Sequence, residues 1–318
     1  MGVYYKGYVY MSGGRFSPNS PQNISQSIFY NDVWRMNSTC IKGTNCQWEL
    51  LARNAPWDGR AYHIMFMHNV DGIEYFYIMA GQNLTYFFAD VWRSTDAINW
   101  EQVKASDDSS FHGRAGLATI GNAFDGNMYM CCGCFNETPH RVLYNDVWSS
   151  KDGKQWTQVI DKSPFHARSG PRMQYYKENL YLVAGEHGFS ENTQYGDVWK
   201  LDLNNINNNW ELINGHAFLN RSGHGFSIDN NNGAFYVVAG YYDLHDLLIS
   251  TDYGMTWKTL DSHVFNCGLG INKCGRYDFW SLIDYDLNNF WIYGGSSSYT
   301  TFGSLHNQTF RISLNNYN

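Results

Sequence analysis

Short apolar runs recur along the whole chain, separated by polar connections rich in Gly and Asn. Typical runs are Ile64-Met65-Phe66-Met67, Tyr77-Ile78-Met79-Ala80 and Val237-Val238-Ala239. Apolar spacing of three to four residues is not sustained over a helix length, so these runs predict strands. Some are almost continuously apolar, as expected of strands covered on both faces. Others alternate and carry the charges, which predicts strands nearer a sheet edge.

The pattern repeats. Arg60, Arg114, Arg168, Arg221 and Arg276 follow one another at intervals of 54, 54, 53 and 55 residues. Each opens a strand-like run, and about twenty residues later a second run ends in small residues. These second runs are Tyr10 to Gly14, Tyr77 to Gly81, Met130 to Gly133, Leu182 to Gly185, Val237 to Gly240 and Trp291 to Gly295. Third runs hold Asp32-Val33-Trp34, Asp90-Val91-Trp92, Asp146-Val147-Trp148, Asp197-Val198-Trp199 and the degenerate Asp246-Leu247-Leu248. Fourth runs begin at Trp48, Trp100, Trp156, Trp210 and Trp257. Four short strands per repeat of roughly 50 residues predict propeller blades. The expectation is an all-β fold, a six-bladed β-propeller of four-stranded antiparallel blades, in one domain over residues 1–318. The blades fall near 1–54, 55–108, 109–162, 163–215, 216–262 and 263–318.

An apolar strand ending in doubled small residues, then an aromatic strand and a Trp, resembles the Kelch repeat of galactose oxidase and many binding propellers. Ser250-Thr251-Asp252-Tyr253-Gly254-Met255-Thr256-Trp257 resembles the sialidase-type Asp box, and Ser150 to Trp156 and Ser94 to Trp100 are shortened forms. The resemblance implies a structural turn at the blade periphery. The residues agree: Asp accepts backbone N–H bonds, Gly takes a positive φ, and Trp covers the hairpin.

The first and last repeats are incomplete. Met1 to Lys6 aligns with Met173 to Lys177 inside a first strand, and the last repeat reaches Asn318 before a fourth-strand Trp. Propellers close by pairing strands from the two termini. The expectation is a native chain extended upstream, supplying a signal peptide, an outer strand for the last blade and an Arg for the first.

Composition narrows the class. Aromatics make up 17% of the residues, which excludes a disordered chain, and no apolar run approaches a bilayer span. A net charge of −7 provides no footprint for nucleic acid. Cys40/Cys46 and Cys267/Cys274 are short-range pairs in loop-like segments and fit small disulfide loops. Cys131, Cys132 and Cys134 read as buried thiols. Sequons at Asn23, Asn37, Asn83, Asn136, Asn220 and Asn307 all fall in predicted loops. Together these predict a secreted or cell-surface glycoprotein, although the chain opens Met-Gly-Val-Tyr-Tyr-Lys without an apolar leader.

Candidate chemistry lies on the face where strand 4–1 and strand 2–3 connections emerge. Arg60, Arg114, Arg168, Arg221 and Arg276 there predict an inner ring. One reading makes it a funnel for an anionic ligand such as a carboxylated sugar. The other pairs each Arg with the Asp of an Asp-Val-Trp strand, joining blade to blade. The matched numbers of Arg and Asp favour the second. Ligand sites break repeat symmetry, which directs attention to Glu186, His187, Tyr241 and Tyr242. No metal-ligand spacing, Ser-His-Asp set or phosphate loop is present, and no cofactor is expected. The resulting expectation is a non-enzymatic binding or assembly module whose partners are proteins, glycans or further copies. The alternative is a carbohydrate-active propeller, similar to a sialic-acid mutarotase or a polysaccharide lyase.

Overall fold

The structure, a computed structural model, describes residues 1–18, 24–38, 47–107, 109–137, 140–187, 193–241, 244–265, 278–284, 289–297, 304–305 and 309–314. The fold is all-β, a β-propeller arrangement of small antiparallel sheets. The chain divides into two compact units, Met1–Phe16 with Ser27–Ser169 and Ser17–Gln26 with Gly170–Asn318.

The first unit holds three four-stranded blades. Blade 1 is β1 (Gly2–Tyr5), β2 (Tyr8–Phe16), β3 (Ile28–Asn37) and β4 (Glu49–Ala52), paired in chain order. Blade 2 repeats it with β5 (Ile64–Val70), β6 (Ile73–Met79), β7 (Val91–Ser94) and β8 (Glu101–Lys104). Blade 3 begins with β9 (Ala118–Ile120) and β10 (Met128–Cys131). A separate hairpin of β11 (Cys134–Glu137) and β12 (His140–Leu143) then projects between β10 and β13 (Val147–Ser150), and β14 (Thr157–Ile160) closes the blade. In the second unit, blade 4 is β15 (Arg172–Tyr176), β16 (Asn179–Glu186), β17 (Gln194–Asp202) and β18 (Glu211–Asn214). Blade 5 is β19 (Gly225–Ile228), β20 (Phe235–Gly240), β21 (Leu244–Ser250) and β22 (Lys258–Asp261). The last repeat forms a three-stranded sheet of β23 (Trp280–Asp284), β24 (Asn289–Tyr293) and β27 (Thr309–Ser313). A short pair, β25 (Ser296–Ser297) and β26 (Ser304–Leu305), lies between β24 and β27. Five complete blades, rather than six, therefore stand among the described residues.

The repeated small residues have a backbone cause. The ladder between the second and third strands slips at Ser12/Gly14, Val183/Gly185 and Val238/Gly240, in blades 1, 4 and 5. The first residue of the pair is left-handed: Gly13 at φ 50°, Ala80 at 60°, Cys132 at 70°, Ala184 at 55° and Ala239 at 52°. Only Gly13 escapes the Cβ penalty of that conformation; Ala80, Cys132, Ala184 and Ala239 bear it. Cys132 thus sits in a turn and not in a continuous strand, and Gly133 follows at φ 101°.

Between blades the inner strands bury their apolar faces. Ile64, Phe66, Tyr77, Met79, Leu117, Met128 and Met130 make one core between blades 2 and 3, all at most 9% exposed. Tyr181, Val183, Val198, Phe226, Phe235 and Val237 make another between blades 4 and 5. Such burial stabilises by roughly 25 cal/mol per Å² of apolar surface.

Two glycosylation sequons expected in loops lie in strands. Asn37 is the last residue of β3, and Asn136 is in the projecting β11. Both are exposed.

Candidate functional site

The Arg of each repeat lies in the strand 4–1 connection, and both its backbone and its head are committed. Arg60 N–H donates to the Tyr30 carbonyl and its own carbonyl accepts from Gly14 N–H, both in blade 1. Its guanidinium turns into blade 2, where Nη1 reaches Asp90 Oδ1 at 2.6 Å and the Ala80 carbonyl at 3.0 Å, and Nη2 reaches Asp90 Oδ2 at 2.9 Å. Arg114 repeats the arrangement between blades 2 and 3, with Asp146 at 2.6 and 3.0 Å and the Cys132 carbonyl at 3.1 Å. Arg221 repeats it between blades 4 and 5, with Asp246 at 2.9 and 3.0 Å and the Ala239 carbonyl at 2.9 Å. The accepting carbonyl is always that of the left-handed small residue. The Asp is oriented by the Trp two residues on, whose indole N–H donates to Asp32, Asp90, Asp146 and Asp197 at 2.7–2.8 Å. Asp-x-Trp and the small pair are thus two halves of one arginine receptor.

Arg60, Arg114, Arg168 and Arg221 are at most 1% exposed, so they do not line an open funnel. Arg168 belongs to the same backbone pattern through Tyr144 and Gly133, and its Nε donates to the His166 carbonyl. Arg276 lies outside the described residues, as do Tyr242, all four paired-cysteine candidates (Cys40, Cys46, Cys267, Cys274), Asn23 and Asn307.

The apolar residue three before each Arg is also structural. Trp57 meets Trp100 edge-on at 4.7 Å, Phe111 meets Trp156 at 5.3 Å, and Phe218 meets Trp257 at 5.1 Å. Those Trp residues end the Asp boxes. In the fullest box, Asp252 accepts from Thr256 N–H and from the Ser250 hydroxyl at 2.8 Å each, and Trp257 Nε1 donates to the Gly254 carbonyl. The box also caps a neighbour. Tyr77 of blade 2 donates its hydroxyl to the Asp152 carbonyl of the blade 3 box at 2.9 Å. A Cβ on Gly153 would meet that ring at 2.7 Å.

Symmetry breaks at two polar clusters. In the second unit Glu186 lies opposite Gln194 in the β16–β17 ladder. The Ser222 hydroxyl donates to Glu186 Oε2 at 3.0 Å and accepts from Gln194 Nε2 at 3.1 Å. Gln194 is 4% exposed, and its Oε1 meets no hydrogen-bond partner. His187 is exposed with its ring 6.2 Å from Tyr195, and Tyr241 N–H donates to the Ser222 carbonyl. This brings Glu186, His187 and Tyr241 to one rim and adds Gln194 and Ser222. In the first unit Arg15 donates to the Ser27 hydroxyl at 2.9 Å and to the Tyr62 hydroxyl at 3.3 Å. Tyr62 holds φ 56° at a position, two after the Arg, where the other described repeats have Gly116, Gly170, Gly223 and Asp278, all left-handed. Left-handed backbone at a bulky aromatic is uncommon and costs energy. Gly-Gly-Arg at 13–15 and the loss of Gly at 62 were visible departures from the repeat.

Away from the Arg–Asp pairs, burial holds His63, His224 and Cys131 neutral. Burial pushes His63 well below the ordinary imidazole range, helped by the N-terminal ammonium and Arg60, while its Nε2 lies 3.0 Å from Ser12 Oγ. Burial lowers His224 likewise, helped by Arg172 and Arg221. Cys131, Cys132 and Cys134 are buried and outside any disulfide, and burial raises Cys131 well above the thiol range. Among the described residues no three His, Cys, Asp or Glu side chains are placed to hold a metal ion. Nor is any helix among the described residues long and apolar enough to cross a membrane.

The strand 2–3 hairpins of the first unit carry unusual apolar surface. Phe16 pairs with Ile28 and Gly14 with Tyr30, which puts Phe16, Ile28 and Tyr30 on one face at 46%, 54% and 40% exposure. Leu84 and Tyr86 on the blade 2 hairpin are 56% and 63% exposed. Phe87 of that hairpin contacts Phe135 of β11 with rings 5.2 Å apart.

Comparison with protein-family models and with curated proteins returned no match to this chain.

Proposed function

We propose that this chain is a secreted or cell-surface glycoprotein, a six-bladed propeller of Kelch-type repeats, that acts as a non-enzymatic protein-binding module. The observation that carries the reading is two sets of exposed apolar side chains on hairpins of the first unit, Phe16, Ile28 and Tyr30 in blade 1 and Leu84 and Tyr86 in blade 2. Soluble proteins seldom leave such side chains clustered in water without a partner, and aromatic anchors of this kind dominate protein interfaces. The buried, Asp-paired state of Arg60, Arg114 and Arg221 supports the same reading, since heads fully engaged in blade joints do not bind an anion. The three-stranded sheet of the last repeat supports counting six repeats.

The test is a screen of the intact protein against arrayed ectodomains and arrayed glycans, repeated with I28D/Y86D. The expected result is a protein ligand whose binding falls at least tenfold in the charged variant while its circular dichroism stays unchanged. Binding that survives I28D/Y86D overturns the placement.

A second reading, carbohydrate recognition or turnover, is favoured by one observation. The Glu186–Ser222–Gln194 cluster offers a carboxylate and a buried amide acceptor beside the rings of His187 and Tyr195. Acidic-glycan turnover abolished by E186Q in a folded protein would establish it over the first.

A further inference from the structure

At one joint of the second unit three repeat positions change together, and we infer that they form a binding site for the primary ammonium group of a ligand. The residue after the small pair and the residue opposite it in the ladder are Arg15 and Phe29 in blade 1. They are Gln82 and Phe87 in blade 2, and Cys134 and Leu143 in blade 3. In blade 4 they are Glu186 and Gln194. Gln194 thus brings an amide to a register where those three blades carry an apolar side chain. The third change is Ser222, which follows its Arg where Ala61 and Ala115 follow theirs.

Counting protons shows what the cluster lacks. Ser222 has one hydroxyl proton, and it goes to Glu186 Oε2 at 3.0 Å. The same oxygen accepts from Gln194 Nε2 at 3.1 Å. Turning the amide over would set Gln194 Oε1 and Glu186 Oε2 in competition for that single proton, so the network itself orients the amide. Gln194 Oε1 then stands without a donor, although Gln194 is only 4% exposed. A buried acceptor left unmet is costly and calls for a partner. Glu186 and Gln194 lie opposite each other on one face of the sheet and meet at the Ser222 oxygen, which brings the amide oxygen and the carboxylate to one place.

The cluster therefore offers acceptors and a negative charge, while the one hydroxyl proton beside them is already used. A group that fits must bring its own protons and a positive charge. A primary ammonium brings both, with three N–H donors on one compact cation. Removal from bulk water strengthens its attraction to the carboxylate. A neutral hydroxyl brings one proton and no charge, and an anion is repelled. A calcium ion takes about six to eight oxygen ligands, more than these three side chains supply. The inference rests on the second reading only in taking this cluster as a ligand site, and it gives the bound group the opposite charge to that of an acidic glycan.

Isothermal titration calorimetry of the intact protein with glucosamine, N-acetylglucosamine, glucuronate and Nα-acetyl-lysine amide tests the assignment. Saturable binding of glucosamine or of the lysine amide, at least tenfold tighter than that of N-acetylglucosamine, is expected. Which of the two binds distinguishes an amino sugar from a peptide as the source of the ammonium. Q194L restores the leucine that blade 3 carries at this register, so binding is expected to fall at least tenfold while the melting temperature holds or rises. Silence with both ammonium probes, equal binding of N-acetylglucosamine, or binding that survives Q194L overturns the inference. Glucuronate bound in preference to glucosamine overturns it too and leaves the second reading standing, whereas binding of the lysine amide alone supports the ammonium site and sinks the carbohydrate reading.

Discussion

Two histidines occupy one repeat position, three residues after the Arg, and only one of them has a ring hydrogen bond. His63 faces Ser12 Oγ at 3.0 Å, while neither ring nitrogen of His224 finds a partner. The ladders explain why: the residue that corresponds to Ser12 in blade 4 is Val183, since each precedes the small pair and lies opposite a third-strand Val. A buried polar group without a partner costs about 1–3 kcal/mol. His224→Met, which keeps a flexible apolar filler in the same space, is therefore expected to raise stability by about 1 kcal/mol at pH 8. Both histidines have folded pKa values below the unfolded imidazole range. Their contribution is fully present above pH ~6.5 and is lost as pH falls, because the unfolded chain then binds protons that the folded chain refuses. Wild-type Tm is expected to drop between pH 8 and pH 5, and H224M should drop less. A steeper acid loss in H224M than in wild type, read by differential scanning calorimetry, would refute this account.

At the scale of the element, the unit of stability is the joint between blades. Arg60 ties its own backbone to blade 1 and its head to blade 2, so one residue holds two sheets in register. Both partners are buried, with side chains 0% and 7% exposed. Desolvating the two ions cancels much of their attraction, but stripping one partner leaves an uncompensated charge. Asp90→Ala is accordingly expected to cost about 3–5 kcal/mol in urea unfolding. The double variant R60M/D90L should cost far less than the sum of its single changes, because it removes both charges from the interior. Additive losses would show that the pair is not coupled. The Asp boxes serve the same end from the outside, laying a turn of one blade on the inner strand of the blade before it, as Asp152 does on Tyr77.

For the whole molecule, the repeat period read from the sequence corresponds, among the described residues, to five complete four-stranded sheets, followed by a three-stranded sheet in the last repeat. The proposed secretion has its test at the sequons. Asn37, Asn136 and Asn220 are exposed, and Asn83 heads a turn in which its Oδ1 accepts from Thr85 and Tyr86 N–H. Expressed with a secretory leader in a eukaryotic host, the chain is expected to carry N-glycans at these four sites. The check is a site-resolved mass shift on enzymatic deglycosylation, and bare asparagines throughout would speak against a secreted protein.

Much of this was legible in the chain because it is periodic. Arg every 53 to 55 residues, an Asp-x-Trp in third strands and a small pair after second strands are local facts of spacing. They determine strands, blades and even the Arg–Asp pairing, since matched repeating charges in an apolar setting have few other partners. What only the tertiary structure decided is what each charge faces. No spacing reveals that the Arg backbone belongs to one blade and its head to the next, or that Tyr62 adopts a left-handed backbone beside Arg15. Those outcomes depend on contacts between residues far apart in the chain, and burial, which sets the cost of every polar group, exists only once the sheets have packed.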